Sequence, residues 1–599
     1  MQPTTEILAR IRGNSLANKD EVFTRLYRYL LRPDIYFVAY QNLYANNGAA
    51  TKGVNDDTAD GFSEAKVANI IRKLSDESYQ PTPVRRSHIA KKNNPKKKRP
   101  LGIPTFTDKL VQEVLRMVLE AVYEPVFLPV SHGFRPGKSC HTALKSLKKE
   151  FGGSHWFVEG DIKGCFDNIN HGVLIGLIRN KIRDARLIKL IYKFLKAGYL
   201  EDWKYHKTYS GCPQGGIASP ILSNIYLHEL DKFVMKLKAE FDTGGKESET
   251  PEYRLLKNEL RNLTYHIGNA EGTEKERLLA EYRQKRKLML KTPCTAQTVK
   301  RIKYVRYADD FIIAVKGSKA DCEWIKGRLS GFIAQSLKME LSEEKTQITH
   351  SSQCARFLGY NIRVRRNAVI KRGGPGHKPK RTLNNLCELS IPLDDKIHDF
   401  IFAKGIATRK KDGTLFPVCR ASLLRLTDLE IISAYNAELR GICNYYGIAS
   451  NFYKLSYLGY LMEYSCLKTL AAKHKSSIAK VKTQFKDGQG HWGVPYETKA
   501  GSKRRYFVNY ADCKEVPNPT DTVSNAAIIH SHSRTTLEQR LKAKVCELCG
   551  ATDSKVYEVH HVNKVKNLKG KRPWEIVMIA KRRKTLVVCK KCHYAIHHP

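Results

Sequence analysis

Two adjacent acids, Asp309 and Asp310, lie between the β-prone pairs Tyr304-Val305 and Phe311-Ile312. This pattern predicts a hairpin with carboxylates at its tip. Side-by-side buried carboxylates are costly unless something neutralises them. A hard divalent cation such as Mg²⁺, which takes oxygen ligands, meets that need. An exposed Asp-Asp turn is the plain alternative, and this stretch alone does not choose between them.

A second group of chemistry-bearing residues stands near the C-terminus. Cys546 and Cys549 form one Cys-x-x-Cys pair, and Cys589 and Cys592 form another. Two such knuckles suit a tetrahedral structural Zn²⁺. Disulfides are the competing use of these cysteines, and a reducing compartment disfavours them. His593 and His597 are four residues apart, so one helical face presents both to a shared metal. The pair His560-His561 precedes them.

Other stretches must position these groups. Trp156-Phe157-Val158-Glu159-Gly160-Asp161 predicts a short strand ending in an acid, and Phe166 follows five residues later. Gly211-Cys212-Pro213-Gln214-Gly215-Gly216 is a loop whose glycines let backbone approach a ligand closely, and it opens a helix. Residues 89–104 read as a strand, a basic turn and a strand, with Lys91 and Arg99 among the cations. Such a run is either a solvated loop or a finger gripping a triphosphate. His132-Gly133-Phe134-Arg135-Pro136-Gly137-Lys138 leads into a helix, an arrangement suited to a phosphate backbone. Residues 233–300 are highly charged and read as a peripheral insertion. Between Leu429 and Gly447, Ile432, Tyr435, Leu439, Ile442 and Tyr446 recur at helical spacing. Lys503-Arg504-Arg505-Tyr506-Phe507 interleaves cations and aromatics, as a nucleic-acid strand prefers.

At 599 residues the chain predicts several domains. Lys and Arg number 104 against 59 Asp and Glu, a net charge of +45, which points to a polyanionic partner. The chain shows no run of about twenty apolar residues and no signal-peptide pattern at its start, so a soluble cytoplasmic protein without a membrane role is expected.

The blocks Arg-Pro-Leu-Gly-Ile-Pro, His-Gly-Phe-Arg-Pro, the Asp161 strand, Pro-Gln-Gly-Gly, Tyr-Ala-Asp-Asp, Leu-Ser-Glu-Glu-Lys-Thr and Phe-Leu-Gly-Tyr occur in this order. Together they resemble the reverse transcriptase family over about residues 10–365. That resemblance implies a palm where Asp161, Asp309 and Asp310 hold a pair of Mg²⁺. It further implies Phe166 as the gate against a ribose 2′-hydroxyl and Gln214 at the nascent base pair. Lys91 and Arg99 would contact the triphosphate of an incoming dNTP, and Lys345 would support the site. Leu439-Arg440-Gly441-Ile442-Cys443-Asn444-Tyr445-Tyr446 resembles domain X, the maturase domain of group II intron-encoded proteins, which implies binding to intron RNA.

The C-terminal residues resemble an HNH endonuclease with interleaved cysteines. This implies His560, His593 and His597 as ligands of a divalent metal, Mg²⁺ foremost, and His561 as general base. One position departs from the family: Thr585 stands where HNH proteins commonly carry Asn, with Asn563 and Asn567 as substitutes nearby.

The fold expected is multidomain α+β: a right-hand polymerase of fingers and antiparallel palm, an α-helical thumb, and a small zinc-containing HNH ββα-metal module. Its divisions are 1–365 for fingers and palm, 385–480 for thumb and domain X, 480–540 for DNA binding and 541–599 for the HNH module. As a whole the chain is similar to bacterial group II intron-encoded proteins. The resemblance implies a ribonucleoprotein with the intron RNA, splicing assistance, nicking of target DNA and reverse transcription at the nick. A monomer and a homodimer both stay open. A splicing cofactor without polymerase activity is the alternative, but it would lose Asp309, Asp310 or the Phe166 block, and all are present. A retron-type polymerase would have neither the domain X helix nor the cysteine-bearing end.

Overall fold

The computed structural model describes residues 3–598 except 47, 92–93, 203, 214, 297, 368, 372–379, 383, 499–500 and 514–535. Gln214 and the side chains of Lys91 and of residues 94–97 therefore lie outside the described residues.

Helix α1 (Pro33–Tyr44) opens on a proline, whose fixed φ suits a first turn, and buries Tyr36, Phe37, Tyr40 and Leu43. A short strand β1 (Phe62–Ser63) follows. Strands β2 (Val84–Lys91) and β3 (Asn94–Ile103) form the antiparallel hairpin that carries the basic run, with Arg99 opposite Ile89. Helix α2 (Phe106–Tyr123), capped by the Thr105 side chain, is buried on nearly every side. Next come helix α3 (Cys140–Glu150), strand β4 (Trp156–Asp161) and helix α4 (Ser219–Phe241). Strands β5 (Arg301–Tyr307) and β6 (Asp310–Lys316), helix α5 (Lys319–Gln335) and strand β7 (Ile348–His350) complete the palm.

The palm sheet has the order β5-β6-β4-β7, antiparallel throughout. Its strands are apolar on both faces because both faces are covered. Val158, Tyr304, Ile313 and Val315 point into a core shared with α2, α4 and α5. Phe157, Val305, Ile312 and Ala314 point into a second core shared with α3 and the thumb. The charged stretch expected from residue 233 begins inside a core helix, since Val234 and Leu237 of α4 are buried. Beyond α4 it forms a helical hairpin, Pro251–Asn269 and Gly272–Lys291, whose second helix buries no described residue.

In the thumb, helix α6 (Asp428–Tyr446) starts with a capping box between Thr427 and Glu430 and packs on α7 (Leu455–Lys473). Ile432, Tyr435, Leu439 and Tyr446 face inward as their spacing predicts; Cys443 takes the inner position expected of Ile442.

At the C-terminal end, strands β8 (Tyr557–His561) and β9 (Thr585–Cys589) pair and lead into helix α8 (Lys590–His597). The expected self-contained module acquires a third strand from far away: β1 pairs with β8, Phe62 opposite Val559. The apolar core of the module is continuous with that of the N-terminal helices. Among the described residues no helix is long and apolar enough to cross a membrane.

Arg306 on β5 is the largest fully buried side chain. Its Nε and Nη2 donate to the Asp231 carboxylate of α4 at 2.7 and 2.6 Å, and Tyr304 Oη donates to the same carboxylate at 2.9 Å. Removing one partner of a buried pair strands the other charge, at about 3–5 kcal/mol. Arg306→Ala is therefore expected to destabilise the palm by about that amount. A lowered denaturant midpoint, with faster hydrogen exchange in β5 and β6, checks this.

Candidate active site

The two acids sit where β5 turns into β6. Tyr307 pairs with Asp310, which leaves Ala308-Asp309 as a two-residue turn. Ala308 adopts φ +55°, a left-handed conformation that costs an alanine about 1–2 kcal/mol. Its carbonyl accepts from Arg306 Nη1 at 2.9 Å. On the other side Gly133 lies against it so closely that a Cβ there would stand 2.3 Å from the Ala308 nitrogen. Gly133 is held in turn by Asn224, whose Nδ2 donates to its carbonyl at 2.9 Å, and by a 2.9 Å bond from His132 N to Arg306 O. The His-Gly-Phe-Arg-Pro block thus braces the hairpin tip. Arg135, expected at a phosphate backbone, is buried on Glu124 at 2.8 Å and on the carbonyls of Leu128 and Ser131.

Asp161 stands directly across the sheet from Asp310. The Leu341–Thr346 segment clamps this strand end: Ser342 N donates to Asp161 O at 2.8 Å, and Lys345 Nζ reaches Asp161 Oδ2 at 2.6 Å. Burial, and then the Asp161 charge, raise the Asp309 carboxyl, which Lys345 and Arg99 offset only in part. Removal from bulk water, then the charges of Asp309 and Asp161, push the Asp310 carboxyl well above its ordinary range, although part of its surface is exposed. A cluster this short of positive charge suits added cations, and its donors are hard oxygens, the kind Mg²⁺ prefers. Asp161 and Asp309 are half-buried and Asp310 is exposed.

Phe166 is half-buried and edge-on to Phe134, with ring centres 6.2 Å apart. Phe134 is exposed and has φ +55°. Only its place after Gly133 marked it in the sequence. Cys212 N donates to Phe166 O at 2.7 Å, and a Cβ on Gly211 would lie 2.8 Å from that oxygen, so the glycine-rich loop closes on the Phe166 turn.

Besides the shared apolar core, two tyrosines of α6 bond to the Phe-Leu-Gly-Tyr turn. Tyr445 Oη donates to Leu358 O at 2.6 Å and Tyr446 Oη to Gly359 O at 3.2 Å, at the tip of the Phe-Leu-Gly-Tyr turn. On the outside of the thumb, Tyr453, Tyr457 and Tyr460 are exposed, and Tyr457 stacks on Tyr460 with centres 6.3 Å apart. A cleft of about 680 Å³ separates α7 from the strands Gly493–Thr498 and Gly501–Tyr506 and is lined by Tyr460, Lys482, Trp492 and Tyr506. Stacking platforms beside cations suit unpaired bases.

The four cysteines converge, with ligand atoms within 4.8 Å of one another. Cys549 N and Cys592 N each point at the preceding cysteine sulfur of their knuckle at 3.5 Å. His560, His593 and His597 gather into a separate cluster, and Asp60 joins them. His593 Nδ1 is bonded to Glu558 at 2.5 Å. Burial lowers the His593 pKa, but bonds to Asp60 and Glu558 outweigh this and push it up to about 9. His561, the expected general base, is buried; its Nε2 lies 3.0 Å from the Tyr44 carbonyl, to which it must donate. A nitrogen committed to a carbonyl cannot accept a proton from water. Thr585 stands opposite His561 across the sheet, with its hydroxyl accepting from Arg540 at 3.1 Å, while Asn563 and Asn567 are exposed in the loop.

Comparison with known proteins decides among the readings. Residues 89–242 and 276–362 match the model of the reverse transcriptase (RNA-dependent DNA polymerase) family, residues 384–529 that of type II intron maturases, and residues 546–593 that of the AI2M/AI1M-like HNH endonucleases. Across 100% of both chains the protein is 65% identical to the group II intron-encoded protein LtrA of Lactococcus lactis subsp. cremoris. The chain belongs to the group II intron-encoded protein family. It is also 36% identical to the 91 kDa protein in the cob intron of Schizosaccharomyces pombe, over 95% of this chain and 69% of that one. A putative COX1/OXI3 intron 2 protein of Saccharomyces cerevisiae is 30% identical over 98% of this chain and 68% of its own length.

This group II intron-encoded protein thus carries reverse transcriptase, maturase and HNH endonuclease domains in one chain. The break in its reverse transcriptase match, between residues 242 and 276, falls in the first helix of the charged hairpin and its flanks. Because Gly133 seats the Ala308-Asp309 turn, Gly133→Ala is expected to displace Ala308 and cut primer extension at least about tenfold, a loss of about 1.4 kcal/mol in transition-state stabilisation. Steady-state kinetics check this, with zinc content unchanged as the control for folding of the C-terminal end.

Proposed function

We propose that Asp161, Asp309 and Asp310 form the polymerisation centre of this RNA-directed DNA polymerase and hold a pair of Mg²⁺. The observation that carries this is the register: Asp161 faces Asp310 across the sheet, with Asp309 in the adjoining turn. Bound there, the ions would lower the pKa of the primer 3′-hydroxyl and neutralise the triphosphate during in-line displacement. The chain's own residues set the geometry. Lys345 holds the Asp161 carboxylate in place. Phe166, stiffened by Phe134 and by the Gly211 loop, blocks a 2′-hydroxyl. Arg99 and Lys91, on the hairpin of the fingers, take the triphosphate of the dNTP, and Gln214 meets the nascent pair.

The thumb and its tyrosine-lined cleft bind the intron RNA and assist its splicing, and the target DNA follows the basic surface beyond residue 480. The net charge of +45 supports this reading, as does the match to intron maturases. The cysteine cluster holds a structural Zn²⁺. His560, His593 and His597 hold a divalent ion for nicking target DNA, with His561 as base once it leaves Tyr44. Three imidazoles fit a borderline ion such as Zn²⁺ or Ni²⁺ better than the Mg²⁺ expected from the resemblance.

Asp309→Ala is expected to abolish primer extension on an RNA template and leave intron RNA affinity unchanged; a gel-shift titration beside the extension assay reads both. Phe166→Ala is expected to admit ribonucleotides, measured as the ratio of kcat/KM for dNTP to that for the matching NTP. A ratio unmoved by the substitution contradicts the gate.

A further inference from the structure

The HNH histidine cluster contains a residue the module does not own. Asp60 lies about five hundred positions upstream, in the fingers, just before β1. Its Oδ1 is 3.3 Å from His560 Nδ1 and 3.2 Å from His593 Nε2, and its Oδ2 is 2.7 Å from His597 Nε2. The ligand atoms of all four residues lie within 4.8 Å of one another. His560 is 4% exposed; its Nδ1 has the 3.3 Å contact to Asp60, while its Nε2 has no hydrogen-bond partner among the described residues. An orphaned buried polar group costs about 1–3 kcal/mol, a cost that binding of an ion would relieve.

The backbone holds Asp60 there. Gly61, at φ +77°, turns the chain past the cluster and donates its N–H to Val559 O at 3.0 Å. The following two residues pair with β8, and Phe62 is fully buried. Further contacts fix the same face: Asp60 Oδ1 accepts from His561 N at 2.7 Å, Tyr44 O accepts from His561 Nε2, and Lys584 Nζ donates to Ala45 O at 3.4 Å. His597 is half-exposed, which leaves an ion a route in.

Three imidazoles and one carboxylate complete a four-coordinate shell. Catalytic sites of this kind keep one position open, whereas closed shells are structural. We propose that Asp60 is the fourth ligand of this divalent-metal site, so that a bound ion clasps the HNH module to the fingers and keeps its nuclease centre closed. The clasp rests on the reading of His560, His593 and His597 as metal ligands. Withdrawal of the Asp60 segment then opens a coordination position, and withdrawal of the end of α1 together with it releases His561 from Tyr44. Nicking is thereby restricted to the detached module.

The test uses the untagged full-length chain with zinc on its cysteines and one equivalent of Ni²⁺ as probe. Calorimetry gives Ni²⁺ affinity, and hydrogen exchange gives protection at Phe62–Ser63 and Tyr557–His561. In the parent chain Ni²⁺ is expected to slow exchange in both strands. Asp60→Asn keeps the side-chain shape and an acceptor for His561 N; it is expected to weaken Ni²⁺ about tenfold or more. The same variant loses the Ni²⁺ response at Phe62–Ser63 and nicks duplex DNA faster at saturating metal. Ni²⁺ affinity lowered by His597→Ala but not by Asp60→Asn overturns the clasp and leaves the histidine site standing. Affinity lowered by neither overturns both. Nicking by Asp60→Asn no faster than the parent overturns the closed site.

Discussion

A guanidinium with no water around it must find every partner in protein, and Arg306 finds them on several elements at once. Asp231 and Asn224 belong to α4, Ser131 to the bracing loop, and the Ala308 carbonyl to the turn that carries Asp309. The bidentate pair with Asp231 is thus more than a local contact. It fixes the distance between the palm sheet and the helix behind it, and a strained alanine is held one residue ahead of Asp309. Buried ion pairs contribute little net stability compared with well-packed apolar groups, but breaking one is expensive. What this pair gives the fold is a hairpin tip with a single position, which a site of several converging carboxylates requires.

Repulsion among those carboxylates is the opposing force. Lys345 answers it on one side, and the remainder is what the proposed cations would neutralise. The neighbouring aromatic pair, Phe134 and Phe166, is set by backbone alone: a left-handed residue after Gly133 and a glycine loop closing on the Phe166 carbonyl. The proposed polymerase centre is therefore assembled mostly from turns, each positioned by packing elsewhere. The helices of the maturase region join it through a shared apolar core and through the hydroxyls of Tyr445 and Tyr446, and Tyr453, Tyr457 and Tyr460 are exposed away from that junction.

Much of this was legible before any coordinates. β-prone apolar runs flagged the strands around the acids, the Asp309-Asp310 hairpin was written in its flanks, and the cysteine spacing placed the four sulfurs together. The missed features share one cause, which is contact between residues far apart in sequence. Arg306 reads as one more residue of a β run, and nothing local says that Asp231 waits for it. Arg135 reads as a surface cation, yet Glu124 buries it. Asp60 and Tyr44 carry no motif, so neither the third strand of the C-terminal sheet nor the occupied ring of His561 could be foreseen.

Three nucleic-acid chemistries on one strongly basic chain make sense if the intron RNA is both the splicing substrate and the later template. The most direct test is splicing of a precursor transcript containing the cognate intron at low Mg²⁺, with and without the purified full-length protein. The account predicts splicing only when the protein is added, with the excised RNA remaining bound to it. Equal splicing in both samples would contradict it, and would leave a polymerase without a maturase role.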